Sequence, residues 1–454
     1  MDFVEKIRGF SRDQLITEFL RLVPRLSPGN VSRLVHLAEK ITRDEYYKSL
    51  AHQIRELFET GHPSVHLARR ILSSLSPRCR DRLARNLLIN DFLVGETVRS
   101  SILDREGFRP PLLFVISPTM RCNLKCKGCY AGDYEQGQEL SLELIDRILN
   151  EAKELGIYFV SFTGGEVLVR PDLFEMYQKH NDLYFQFFTN GTLIDEKMAS
   201  RFAKLGNVAP MISIEGFEKE TDFRRGKGTY QKIMRAMDNL REEGVMFGAS
   251  VTEMRHNIEL LASDEFIDML IRKGALMLWY FQYIPVGRRP SMDLMPTPEQ
   301  RDQLRRRVAE IRRTKPIFII DFWNDGPYAD GCIAGGRQYF HIVADGDVEP
   351  CVFAHFAVDN IKEKSLREIL TSEFFMAFRS RQPYRENTLT VCAIIDNPQV
   401  LRDIVKEHGA HPTHPGAETI ITDLAKDLDE YARRYQAIAD KAWREEYAPY
   451  RAAI

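Results

Sequence analysis

The chain has 454 residues, 63 Lys and Arg against 65 Asp and Glu, and a formal charge of -2, with 44% hydrophobic and 28% charged residues. So even a balance gives no electrostatic footing for nucleic acid or an anionic membrane. No stretch approaches the roughly 18 consecutive apolar residues that span a bilayer, and the opening Met1–Arg8 lacks the basic-then-apolar order of a secretion signal, so a cytoplasmic chain without a transmembrane segment is expected.

Residues 1–105 read as an all-helical region. Leu15, Ile16, Phe19, Leu20 and Val23 make one apolar stripe, and Val31, Leu34, Val35, Ala38 and Ile41 make a second. A capping-box pair, Thr42 and Glu45, opens a third helix that stops near Gly61 and Pro63; Val65, Ala68, Ile71 and Leu72 continue the spacing. An accessory bundle packed on the main domain is expected, with a substrate lid or partner-docking module as the alternative.

Over residues 106–290 short apolar runs alternate with helical patterns. The runs are Leu112–Ser117, Ile157–Thr163, Leu183–Thr189, Val208–Ile214, Met246–Thr252 and Leu276–Ile284. Helices are expected after Ser141 (an N-cap, with Gly156 as the stop) and over Asp172–His180, Asp195–Leu205, Tyr230–Glu243 and Glu259–Lys273. Apolar strands separated by helices imply parallel β/α units. Six such units predict the α/β class and a partial (β/α)6 TIM-like barrel. Residues 291–415 form an irregular, cysteine-bearing α+β extension, and 416–454 close the chain with a polar helix, about Ala417–Tyr447, whose Tyr431 and Tyr435 are expected to pack.

Seven cysteines stand at 79, 122, 126, 129, 332, 351 and 392, an odd count that argues against a disulfide framework. Cys79 is alone and reads as a small buried apolar residue. Cys122, Cys126 and Cys129 follow the first strand in C-x3-C-x2-C spacing. Zinc sites favour separated pairs of ligands, and a thioredoxin-like Cys126/Cys129 pair would leave Cys122 idle. Three corners of an iron–sulfur cube fit better, with the fourth iron open to a small molecule. A zinc or thiol-redox protein without radical chemistry stays open as the competing reading.

The run Cys122-Asn-Leu-Lys-Cys126-Lys-Gly-Cys129 resembles the radical S-adenosylmethionine (SAM) superfamily, and supporting motifs recur in order at strand ends. Thr163-Gly164-Gly165-Glu166 is similar to the family's "GGE" motif, implying close backbone approach and a Glu166 carboxylate for the methionyl ammonium. Thr189-Asn190-Gly191 resembles the ribose-lining segment. Ser213 and Glu215 match a position where a hydroxyl and an acid contact SAM, and Arg224 or Arg225 falls where an arginine often faces the SAM carboxylate. The position before the third cysteine, usually aromatic in the family, is Gly128, so Tyr130 is expected to substitute for the missing packing.

Cys332, Gly346 and Cys351, with Cys392 further on, are similar to the opening of the SPASM and shorter twitch extensions, implying an auxiliary [4Fe–4S] cluster. Asp345-Gly346-Asp347 reads as a hairpin turn. His355 and Asp396 are candidate fourth ligands, unless the iron stays open to substrate; a structural zinc site competes. The resemblance implies cleavage of SAM to a 5′-deoxyadenosyl radical that abstracts hydrogen from an unactivated carbon, with a ferredoxin or flavodoxin as electron donor. No catalytic side chain is assigned, and the substrate stays open between a small molecule, a cofactor precursor, a lipid and a peptide. The aromatics of Trp279–Arg288 fall at the barrel mouth, and Asp321–Asp325 suits a bridging segment over it.

Overall fold

The computed structural model describes residues 59–447 together with His52, Arg55 and Glu56; the apolar stripes over 15–41 and the start of the capping-box helix lie outside the described residues. All six expected strands form, as Leu113–Ile116 (β1), Phe159–Phe162 (β2), Tyr184–Thr189 (β3), Val208–Ser213 (β4), Gly248–Glu253 (β5) and Met277–Gln282 (β6). A seventh, Phe318–Asp321 (β7), was hidden in the irregular region, because a four-residue apolar run carries no periodic signal of its own. It corrects the expected bridging segment: Asp321 ends a strand and is buried, as are Trp323 and Asn324.

The sheet runs β7-β6-β5-β4-β3-β2-β1-β8-β9, where β8 is His341–Ile342 and β9 is Val348–Glu349. Strands β1 to β7 pair in parallel, the arrangement of a partial TIM-like barrel. Parallel to β1, β8 puts Val115 opposite His341, and the hairpin to β9 turns at Gly346. Gly346 has φ 97°, and a Cβ there would meet Asn360 Oδ1 at 2.5 Å, so both backbone and space demand glycine. The cysteine-bearing extension is thereby joined edge-on to the barrel.

Alternation along the strands divides two faces. Phe114, Ile116, Val160, Phe162, Phe185 and Phe187 are fully buried toward the helices, each contributing about 1.5–3 kcal/mol of burial. Their neighbours, such as Val115, Ser161, Gln186 and Phe188, face an interior cavity. The helix Leu142–Glu154 shows how the layer is specified: Ser141 caps it by accepting from the Leu144 amide at 3.2 Å, and Ile145, Ile148, Leu149 and Ala152 are buried.

Pro63–Glu106 packs on the N-terminal ends of the strands. Asn86 donates to the carbonyls of Asn181 and Leu183, and Arg99 to that of Gly156. The described helices therefore close the end opposite the cysteine loops, which leaves the C-terminal strand ends free for chemistry. Cys79 is buried between Leu75 and Leu276, as expected. The closing helix starts later than its polar pattern suggested, because Gly416 in a left-handed turn and a short 3-10 stretch, Ala417–Ile420, precede Ala425–Ala442; a π-helical stretch, Trp443–Tyr447, carries it to the expected end. Among the described residues no helix is long and apolar enough to cross a membrane.

Candidate active site

Beyond β1 the chain turns into the loop carrying Cys122, Cys126 and Cys129, and all three line one cavity at the C-terminal end of the barrel. The loop is held by its backbone. Arg224 accepts from the Lys127 amide at 2.9 Å and donates to the carbonyls of Lys127 (3.2 Å) and Gly128 (3.4 Å), while Arg288 donates to Cys126 O at 3.3 Å. The amides of Gly165 and Glu166 donate to Thr119 O and Arg121 O, and a Cβ at Gly165 would lie 2.1 Å from Arg121 O. The two glycines therefore let the end of β2 lie directly against the cysteine loop. Burial, opposed by the Leu124 amide and aided by the charges of Glu166, Cys126 and Cys129, pushes the Cys122 thiol up to about 11, and burial also raises Cys129.

The residues expected to meet SAM gather here. Tyr130, Gly164, Gly165, Thr189, Asn190, Ser213, Arg224 and Arg225 line the same cavity. Glu166 and Glu215 stand behind that wall. Glu166 accepts from Thr189 Oγ1 (2.7 Å) and from the amides of Asn190 (2.8 Å) and Leu168 (3.1 Å), so it ties the end of β3 to β2. Glu215 accepts from Arg224 Nη1 (2.5 Å), Arg225 Nη2 (2.5 Å) and the Thr252 amide (3.1 Å).

One expectation is corrected. The space above Gly128 is filled by Tyr283, whose Cε2 lies 2.8 Å from where a Cβ on that glycine would be; Tyr130 instead bonds Thr163 Oγ1 at 2.7 Å and packs edge-on to Phe353. Tyr283 follows β6 and belongs to the aromatic run over 279–288. Its sequence signal was visible, but not its pairing with a position 155 residues earlier.

Cys332, Cys351 and Cys392 form a second group, close enough that Cys332 disfavours ionisation of Cys351 and both disfavour that of Cys392. Burial pushes Cys332 up to about 11 and Cys351 up to about 12, and raises Cys392 further. Neither candidate fourth ligand is free. His355 spends Nδ1 on His414 Nε2 (2.7 Å) and Nε2 on Val352 O (2.9 Å). Asp396 is paired with Arg301 at 2.6 Å and accepts from the Cys392 amide at 3.0 Å. The fourfold spacing that suggested them places both beside the cysteines with their lone pairs already committed.

The cavity, ≈ 1380 Å³ of space between atoms that is partly open to solvent, extends from the first cysteine group toward the second. Its far wall holds Ile333, Tyr339, Val352 and Phe353, the neighbours of Cys332 and Cys351, and its sides are aromatic. Trp279 and Phe281 stack at 5.6 Å, Phe188 meets both edge-on, and Phe322 lies 5.4 Å from Phe281.

Both cysteine groups fit an iron–sulfur donor set on a property of the backbone. The amides of Leu124, Ala131, Ala334, Phe353 and Ile394, each two residues beyond a cysteine, donate to Cys122, Cys129, Cys332, Cys351 and Cys392. Amide donors to sulfur stabilise thiolate, the form that binds metal, and do little for a neutral thiol. Residues 116–254 match the radical SAM superfamily, and residues 332–393 match an iron–sulfur cluster-binding domain, SPASM. The chain is 26% identical over 332 residues to the Fe-coproporphyrin III synthase of Methanosarcina barkeri, covering 65% of this chain and 82% of that protein. It is 31% identical over 260 residues to the PqqA peptide cyclase of Bradyrhizobium diazoefficiens, covering 54% of this chain and 68% of that protein. A crystal structure of Streptococcus suis SuiB bound to S-adenosylmethionine shares the fold, with TM-score 0.55 at 20% identity over 76% of this chain and 83% of that one. The chain belongs to the radical SAM superfamily: it is an enzyme of SAM and a [4Fe–4S] cluster, extended by a SPASM domain for auxiliary iron–sulfur chemistry.

Proposed function

We propose that Cys122, Cys126 and Cys129 hold the SAM-binding [4Fe–4S] cluster, that Cys332, Cys351 and Cys392 hold an auxiliary one, and that a carbon substrate loses hydrogen in the cavity between them. Bound there, cluster and SAM supply a 5′-deoxyadenosyl radical by one-electron cleavage of the sulfonium. The chain's own residues position and shield. Gly164 and Gly165 give SAM close access to backbone, Glu166 holds the Thr189–Asn190 turn in place, and Ser213 and Arg224 offer a hydroxyl and a cation to its polar end. Tyr130, Tyr283 and the aromatic walls exclude water from the reacting carbon.

One observation carries this reading: the cavity lined by Cys122, Cys126 and Cys129 is also lined by Ile333, Val352 and Phe353, the chain neighbours of Cys332 and Cys351. The exposed loop at Arg121–Lys125, beside Cys122, is where a low-potential donor such as a ferredoxin or flavodoxin would deliver an electron, and a labile cluster suits the reducing cytoplasm. We divide the chain into an N-terminal region to 105, a barrel from 106 that takes in β7 and so ends at Asp321 rather than at 290, an auxiliary-cluster domain from there to 415, and a closing segment over 416–454.

For substrate we favour a peptide whose apolar or aromatic side chain enters the aromatic cavity, in line with the relative named as a peptide cyclase. Anaerobically purified protein should be brown, carry roughly eight irons, the content of two cubanes, and release 5′-deoxyadenosine with dithionite. A colourless zinc protein that leaves SAM intact would overturn the reading. Substrate class is tested by whether Tyr- or Phe-bearing peptides or porphyrins acquire mass changes in the same assay; modification of porphyrin alone would refute the peptide assignment.

A further inference from the structure

Tyr339 joins the cavity to the second cysteine group. It lies between Cys332 and β8, is 2% exposed, and packs against Val115 and Ala334. Its ring lines the cavity and meets Phe322 edge-on at 5.8 Å. Its hydroxyl donates to Cys351 Sγ at 2.8 Å. A phenol buried in an aromatic wall ordinarily spends its hydroxyl on a carbonyl or carboxylate. Here the hydroxyl goes to a sulfur that already accepts the Phe353 amide. That second donor is unneeded by a thiol and useful to a thiolate.

Resting on the reading of Cys332, Cys351 and Cys392 as an iron–sulfur site, we propose that Tyr339 is a positioning residue that sets the reduction potential of the auxiliary site. A hydrogen bond donated to a ligand sulfur draws charge from it and favours the reduced, more negative state, which raises the potential. The auxiliary site then becomes the better acceptor of an electron from an organic radical in the cavity, the radical being oxidised by one electron as the site is reduced by one. The same side chain provides the donor to sulfur and a ring in the cavity wall, so tuning and electronic contact are one device.

The test uses full-length protein in the background C122A/C126A/C129A, which leaves only the second group to bind iron. Tyr339→Phe keeps the ring and removes the hydroxyl. Expected are unchanged iron content, a midpoint potential shifted negative in an EPR-monitored redox titration, and loss of one exchangeable-proton coupling in ENDOR of the reduced site. An unchanged potential and proton coupling at equal iron content would overturn the assignment. So would loss of iron from Y339F, since the hydroxyl would then be a requirement for holding the site. If the background protein itself binds no iron, the reading of the second cysteine group fails, a result distinguishable because it does not involve Tyr339.

Discussion

Arg301 and Asp396 form a fully buried ion pair, Nη1 to Oδ1 at 2.6 Å and Nη2 to Oδ2 at 3.2 Å, joining the helix Pro298–Thr314 to the segment carrying Cys392. The guanidinium also donates to Asn324 Oδ1 and to the carbonyls of Trp323 and Leu389, and lies over the face of Tyr435 at 3.7 Å. On the other side Asp396 accepts the Cys392 amide. Breaking one partner of such a pair strands a buried charge and costs about 3–5 kcal/mol. Arg301→Met is therefore expected to lower the denaturation midpoint and to release the iron of the second group while the first is kept. Iron analysis in parallel with dithionite-driven SAM cleavage checks this; full retention of iron would show that the ion pair does not position Cys392.

Glu215 offers a second such test, on the SAM side. A single oxygen takes Arg224 and Arg225 together, and Arg224 in turn holds the carbonyls of Lys127 and Gly128. Glu215→Gln keeps the shape and removes the charge, weakening bonds to charged groups that contribute about 1.5–3 kcal/mol each. We expect kcat/KM for SAM cleavage to fall roughly 10- to 100-fold on that energy scale, with iron content unchanged. A change confined to iron content would assign Glu215 to loop folding alone.

How much of this could be read from the chain depends on the range of the information. The six strands and the helix after Ser141 were legible because strand and helix patterns are local and Ser141 and Gly156 mark a helix's ends. The first cysteine group was legible because its three thiols fall within eight residues and its companion motifs recur at successive strand ends. What stayed hidden is long-range. Nothing near Gly128 announces that Tyr283 fills its space, and nothing near Asp396 announces Arg301. A spacing of four residues from a cysteine suggested ligands at His355 and Asp396, yet each has its lone pairs taken by a residue far along the chain. The strand β7 was lost because four apolar residues between a helix and a polar turn have no period to read.

Gly165 tests the contact between β2 and the cysteine loop. A methyl group there would sit 2.1 Å from Arg121 O and 2.6 Å from Met120 C, and both are backbone that cannot yield without moving Cys122. Gly165→Ala is expected to lose the iron of the first group while keeping that of the second. Half of the wild-type iron and no 5′-deoxyadenosine is the outcome that agrees; wild-type cleavage would mean the loop has slack that the geometry denies.

His355 gives the pH test. Burial pushes its imidazole down to about 4, with the neighbouring His414 adding to the effect and Glu349 opposing it. In the unfolded chain the same group titrates near about 6.5. Between those values the unfolded state binds a proton that the folded state refuses, so stability rises with pH across the window. The contribution is complete above about 6.5 and is lost progressively as pH falls toward about 4, amounting to about 3 kcal/mol at 1.36 kcal/mol per pKa unit. His355→Asn removes the titrating group and leaves an amide to meet His414. Guanidinium midpoints at pH 7 and pH 4.5 should therefore differ less in this variant than in the parent, because other titrating groups affect both proteins alike. An equal drop in both would show that the imidazole is protonated in the folded chain. The bond from His355 Nδ1 to His414 would then carry a charge that its burial argues against.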